Sequence, residues 1–211
     1  MHQMVNKLIP LGLLTLGLAG CGSPKPIKYY AIQIPAAPNS NIPAHAIDVR
    51  VGRISGPTLL ASSPIVYRTG ANQIGTYKYH RWQDPPVDLV QVKLTSLLRN
   101  SGAYQSVTDS GTSDAEFVIR GRLHDFTEVD AETISGLVTM EFELYNRKTA
   151  KILWSHFYSQ SEPVQGKDVS NVAQALDHNL DRGLKEVMAG LGQYFAANPP
   201  KKSDVVSGSL R

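Results

Sequence analysis

Six histidines (His2, His45, His80, His124, His156 and His178) and one cysteine, Cys21, are the side chains best suited to metal, acid–base or nucleophile chemistry. No two histidines stand at H-x-x-x-H or H-E-x-x-H spacing, which would put two imidazoles on one helical face, so a zinc site has no support. A G-x-S-x-G nucleophile elbow and the glycine-rich phosphate loops are absent as well. Glu141 and Glu143 alternate on one strand face, where they could act as acid and base, although carboxylates on a wet strand more commonly keep it soluble. His124 and His156 sit mid-strand, where a satisfied or exposed histidine is commoner than a ligand, and Trp82 and Trp154 are more often packing than site. The expectation is a protein without catalysis, metal or bound cofactor, and it leaves the lone thiol to be explained.

Before Cys21, MHQMVNK carries Lys7 as its only charged side chain, and LIPLGLLTLGL (8–18) is uncharged throughout. That is a secretory signal's layout, too short for the roughly 20 helical residues that span a bilayer. Leu18-Ala19-Gly20-Cys21 then resembles the lipobox of bacterial lipoproteins, in which the thiol takes a diacylglyceryl group, cleavage follows, and the new N-terminus is acylated. Two or three acyl chains anchor stably, at about 0.8 kcal/mol per buried CH₂. The bland alternative is a plain secretory signal with an incidental cysteine. The lipobox reading predicts a signal peptide over 1–20 and a lipidated Cys21 with its tether over 21–27. Gly22 stands where an aspartate would retain a Gram-negative lipoprotein at the inner membrane. The expected location is the outer membrane's inner leaflet, facing the periplasm.

Without residues 1–20, 211 − 20 = 191 residues remain, enough for one domain. Hydrophobic content of 42% and charge of 18% are those of a globular chain, and a net charge of +3 without a basic run gives no footprint for nucleic acid. With its cysteine consumed by lipid, the fold has no disulfide to lean on.

Several elements follow from periodicity and turn residues. Strands are expected at Lys28–Ile34, around Ile47, Val49 and Val51, and at Pro64–Thr69, Ile74–Trp82 and Tyr104–Thr108. Tyr77 and Tyr79 are expected on one face of the fourth strand, with Ile74, Thr76, His80 and Trp82 on the other. Three longer strands, Glu116–Phe126, Ile134–Asn146 and Lys151–Ser161, form an antiparallel meander, with a hairpin turn at 146–150. One helix starts at Asp84-Pro85-Pro86, with Asp84 as cap, and a longer one runs between Val169 and Phe195. Together they predict an α+β fold over 28–196: a mostly antiparallel sheet with two amphipathic helices packed on one face, a two-layer sandwich. Residues 197–211 read as a disordered tail.

One stretch departs from the generic. PIVYRTGANQIGTYKYHRWQDPPVDLV (64–90) sets Arg-Thr-Gly-x-Asn-Gln-Ile before a short strand and Arg-Trp-x-x-Pro before a helix. With the lipobox and the KYYAIQ strand, it resembles the ABC-type transport auxiliary lipoproteins, over most of the chain to about Phe195. The resemblance implies a non-catalytic subunit working beside an MCE-domain protein and an ABC permease and ATPase that move hydrophobic molecules between two membranes. It also suggests a homo-oligomeric ring. Arg68, Asn72, Arg81 and Trp82 become candidates for a partner or assembly surface, since arginine and aromatic side chains are enriched at interaction hot spots. The competing reading of these residues is structural, with the arginines satisfying loop carbonyls and Trp82 plugging the sheet–helix junction. A competing function is a stand-alone envelope lipoprotein that holds a small amphiphile in a closed apolar pocket.

Overall fold

The computed structural model describes residues 24–34, 45–70, 72–109 and 114–199. The expected signal peptide, Cys21, the loop at 35–44 and most of the expected tail lie outside them. Eight strands and two helices follow in chain order: β1 (Lys28–Tyr30), β2 (His45–Val51), β3 (Pro64–Thr69), β4 (Gln73–Trp82), α1 (Pro86–Asn100), β5 (Tyr104–Thr108), β6 (Phe117–Asp130), β7 (Ile134–Asn146), β8 (Lys151–Pro163) and α2 (Val169–Ala197).

The strands form one mixed sheet, which corrects the expectation of a mostly antiparallel one. Four pairings are parallel, β1–β4, β2–β5, β2–β6 and β3–β6, against three antiparallel, β3–β4, β6–β7 and β7–β8. The cause is β6. One of its edges takes the meander partner β7, and the other is shared end to end by two strands. β2 lies beside Phe117–Ile119 and β3 beside Thr127–Asp130. Between them, Ser55 donates its N–H to Gly121 and accepts from Leu123 N–H, so the connection itself continues the ladder.

Both helices lie on one face, as expected. In α2, Leu176, Leu180, Leu184, Val187 and Leu191 are fully buried, as are Val90, Leu94 and Leu98 of α1. They pack on Ile119, Leu123, Phe126, Val138, Met140, Phe142 and Leu144 of the sheet, all at most 1% exposed. Burying one such side chain contributes roughly 1.5–3 kcal/mol. The helices are tied to each other by Lys93 Nζ, 2.7 Å from Asp177 Oδ1, with the lysine itself 1% exposed. Asp177 also accepts the N–H of Gln33. That bond draws the chain off the sheet after Tyr30, so the first strand ends well short of the expected Ile34. Asp84 does not cap α1, whose first turn is set by Pro85 and Pro86. α2 is capped by Asp168 and Asn171 in a reciprocal box.

Candidate functional site

The β3–β4 hairpin carries the four residues singled out for a partner surface, and the structure spreads them along its length. Gly70, at φ +67°, lets β3 enter the tip, and exposed Asn72 stands on the tip itself. Arg68 lies one turn back and holds Asp125 of β6 at 2.9 Å. Arg81 and Trp82 sit at the far end of β4, nine residues from Asn72 and so up to roughly 30 Å away along an extended strand. Arg81 is half-buried beside β1, in register with Tyr29. Trp82 is completely buried, its ring 5.1 Å from the Phe126 ring, and its backbone N–H donates to the Ser63 carbonyl. Its geometry is that of the junction plug. Arg68, Asn72 and Arg81 retain exposed surface.

Sequence reading missed a polar cluster inside this hairpin. The Tyr77 hydroxyl donates to Glu128 Oε2 at 2.8 Å, and Tyr30 Oη lies 2.7 Å from His80 Nδ1. The Tyr77 and His80 rings meet edge-on at 5.6 Å, which puts them on one side of β4, whereas strict alternation predicts opposite sides. The irregular register between Pro64 and Val66 explains the difference: five β4 residues span what two β3 residues span. Gly75 leaves the space that Tyr67 needs, since a Cβ there would stand 2.6 Å from its ring. Burial raises the Glu128 carboxyl above its ordinary range; Tyr77's hydrogen bond opposes that rise and Asp130 adds to it. Burial also lowers His80, with Lys28 and Lys25 acting the same way, so its imidazole is neutral at pH 7. Tyr77 and Tyr30 are both raised, first by burial and then by their acidic neighbours. These groups are occupied with one another, a satisfied polar junction rather than an arrangement aimed at substrate.

Among the described residues no group of three or more His, Cys, Asp or Glu is placed to hold a metal ion, and no helix is long and apolar enough to cross a membrane. Glu141 and Glu143 do share the face away from the helices, half-exposed, as the alternation predicts.

A model of the family described as ABC-type transport auxiliary lipoprotein component matches residues 30–188. The chain belongs to that family. The match starts at Tyr30, the last residue of β1, and ends within α2, so it takes in β2 to β8 with the hairpin, α1 and most of α2. A search of curated proteins gives no significant match. Among solved structures, the fold is similar to that of a Xanthomonas campestris protein with 16% identity and a TM-score of 0.72; the alignment covers 81% of this chain and 98% of that one. It is also similar to an uncharacterised protein at 12% identity and a TM-score of 0.64, over 79% of this chain and 99% of that one. At such identities the likeness concerns the fold. What the family description adds is a transport auxiliary and a lipoprotein, hence an association with the cell envelope.

Proposed function

We propose that this chain is a non-catalytic accessory subunit of an ABC/MCE-type system that moves lipid or other hydrophobic molecules between two membranes. The family match over residues 30–188 carries this reading. In it, Cys21 bears a diacylglyceryl group and an N-acyl chain and holds the protein to the outer membrane's inner leaflet. Lys28 lies seven positions after Cys21, so the domain hangs at most about 25 Å from its anchor. Its partners are an MCE-domain protein and the permease–ATPase complex, and further copies of the chain form a ring around the conduit. Arg68, Asn72 and Arg81 face those partners from the hairpin, while Trp82 fixes the end of β4 from within.

The competing amphiphile-binding lipoprotein needs an apolar pocket between helices and sheet. That interface is filled by Leu180, Leu184, Met140 and Phe142, and this favours the accessory role. In-cell photocrosslinking from Asn72 and Arg81 tests it, read by mass against the MCE protein and the permease. Crosslinks to either are expected. Their absence from both positions, in cells that express the whole system, would sink the proposal.

A further inference from the structure

The sheet face away from the helices holds a concentration of positive charge that the hairpin and the core leave unused. Arg50, Val118 and Tyr145 stand in one cross-strand row over β2, β6 and β7. Arg120 lies one step along, its guanidinium carbon 3.5 Å from the centre of the Tyr145 ring. Arg147 follows two residues after Tyr145, and Arg53 comes from the connection after β2, close to Ser55. These side chains line a cleft of about 560 Å³ beside the end of β2 and the connection that follows it. No acidic residue lines it.

Elsewhere in the molecule Arg68, Arg99 and Arg182 each hold a carboxylate, at 2.9, 3.1 and 2.7 Å. Among the described residues, Arg50, Arg53 and Arg120 have no such partner, and Nε of Arg50 is buried without a hydrogen bond. Of the acids nearest along the strands, Asp48 accepts from Ser106, while Glu143 stands across from Arg120 in the β6–β7 register and lines an adjoining cleft with Arg120 and Arg122. Like charges gathered in one cleft repel, and the fold keeps them together all the same. Planar guanidinium forks match the oxygens of phosphate bidentately, and stacking on Tyr145 fixes one fork in advance.

We propose that this cleft binds a phosphate group, carried by a lipid headgroup or free in solution. Its arginine-rich lining suits the charged head of such a ligand, leaving any acyl chains outside. The volume falls within the 300–1,000 Å³ range of sites for small organic ligands. The assignment stands on the cleft and holds whether or not the transport reading does.

The test is calorimetric titration of the full-length chain in maltoside detergent, first with inorganic phosphate and then with dihexanoyl phosphatidylglycerol. Sodium chloride at matched ionic strength is the control. Saturable binding is expected with at least one ligand, weakened about tenfold by Arg50→Gln or Arg120→Gln. Arg120→Lys should also bind more weakly, because it keeps the charge and loses the fork. Binding of phosphatidylglycerol alone identifies the lipid headgroup as the source, and binding of inorganic phosphate shows that the free anion suffices. Melting curves accompany each variant; Arg53→Gln, on the exposed connection, serves in place of any that fails to fold. The proposal is overturned if neither ligand binds, if sodium chloride gives the same heat, or if folded Gln variants bind as the wild type does.

Discussion

The two faces of one sheet differ more than any two segments of the chain. Along β7, Val138, Met140, Phe142 and Leu144 point to the helices and are at most 1% exposed, while Glu141, Glu143 and Tyr145 between them look outward and are half-exposed. The same strands therefore build the core with one set of residues and present charge with the other. On the covered face even the polar groups are tied into the packing, as Lys93 and Asp177 show. On the open face, among the described residues, Arg50, Arg53 and Arg120 hold no carboxylate in an ion pair. A fold can leave charge unpaired where its stability does not depend on it, and there a ligand has something to bind.

Substitutions should sort by face. The largest effect is expected from Trp82→Ala, which empties a fully buried site against Phe126 and should cost about 3–5 kcal/mol in denaturant unfolding. A loss near zero would mean that Trp82 belongs to a surface after all. Lys93→Ala comes next, at about 3 kcal/mol, because it strands the Asp177 carboxylate between the helices. Replacing both partners by apolar residues should recover part of that loss; a double variant no better than the single would show that the pair is not the cause.

Smaller still, and visible only against pH, is Glu128→Gln. The Glu128 pKa is raised on folding, so its contribution to stability is complete below its ordinary 4.5 and is lost as pH rises through the folded value. The neutral variant should therefore gain on the wild type as pH climbs from about 4.5. A difference that stays flat over that range contradicts the burial argument for this residue.

Much of this division is legible in the sequence, and its limits have physical causes. The bounds of β7 and the start of α2 follow directly from alternation, helical spacing and turn residues, since those signals are local. The parallel pairings are not local. They depend on β6 offering one edge to two strands, and nothing in the residues of β2 or β3 records that. Alternation also fails within β4, where the irregular register brings Tyr77 round to His80. The arginine cleft was invisible for a related reason: positions 50, 53, 120 and 147 come from separate segments and meet only through cross-strand register.

The smallest effect in this series is also the most direct test of the two-face account. Unfolding of the Arg50→Gln/Arg120→Gln double variant should be followed beside the wild type, with and without phosphate. Without phosphate the variant should be as stable as the wild type within about 0.5 kcal/mol, as for surface positions in general. Phosphate should then stabilise the wild type, by about 2.7 kcal/mol at a hundredfold excess over its dissociation constant, and leave the variant unmoved. A variant that is several kcal/mol less stable without phosphate, and a wild type indifferent to it, would show that these arginines serve the fold and that the open face is no binding surface.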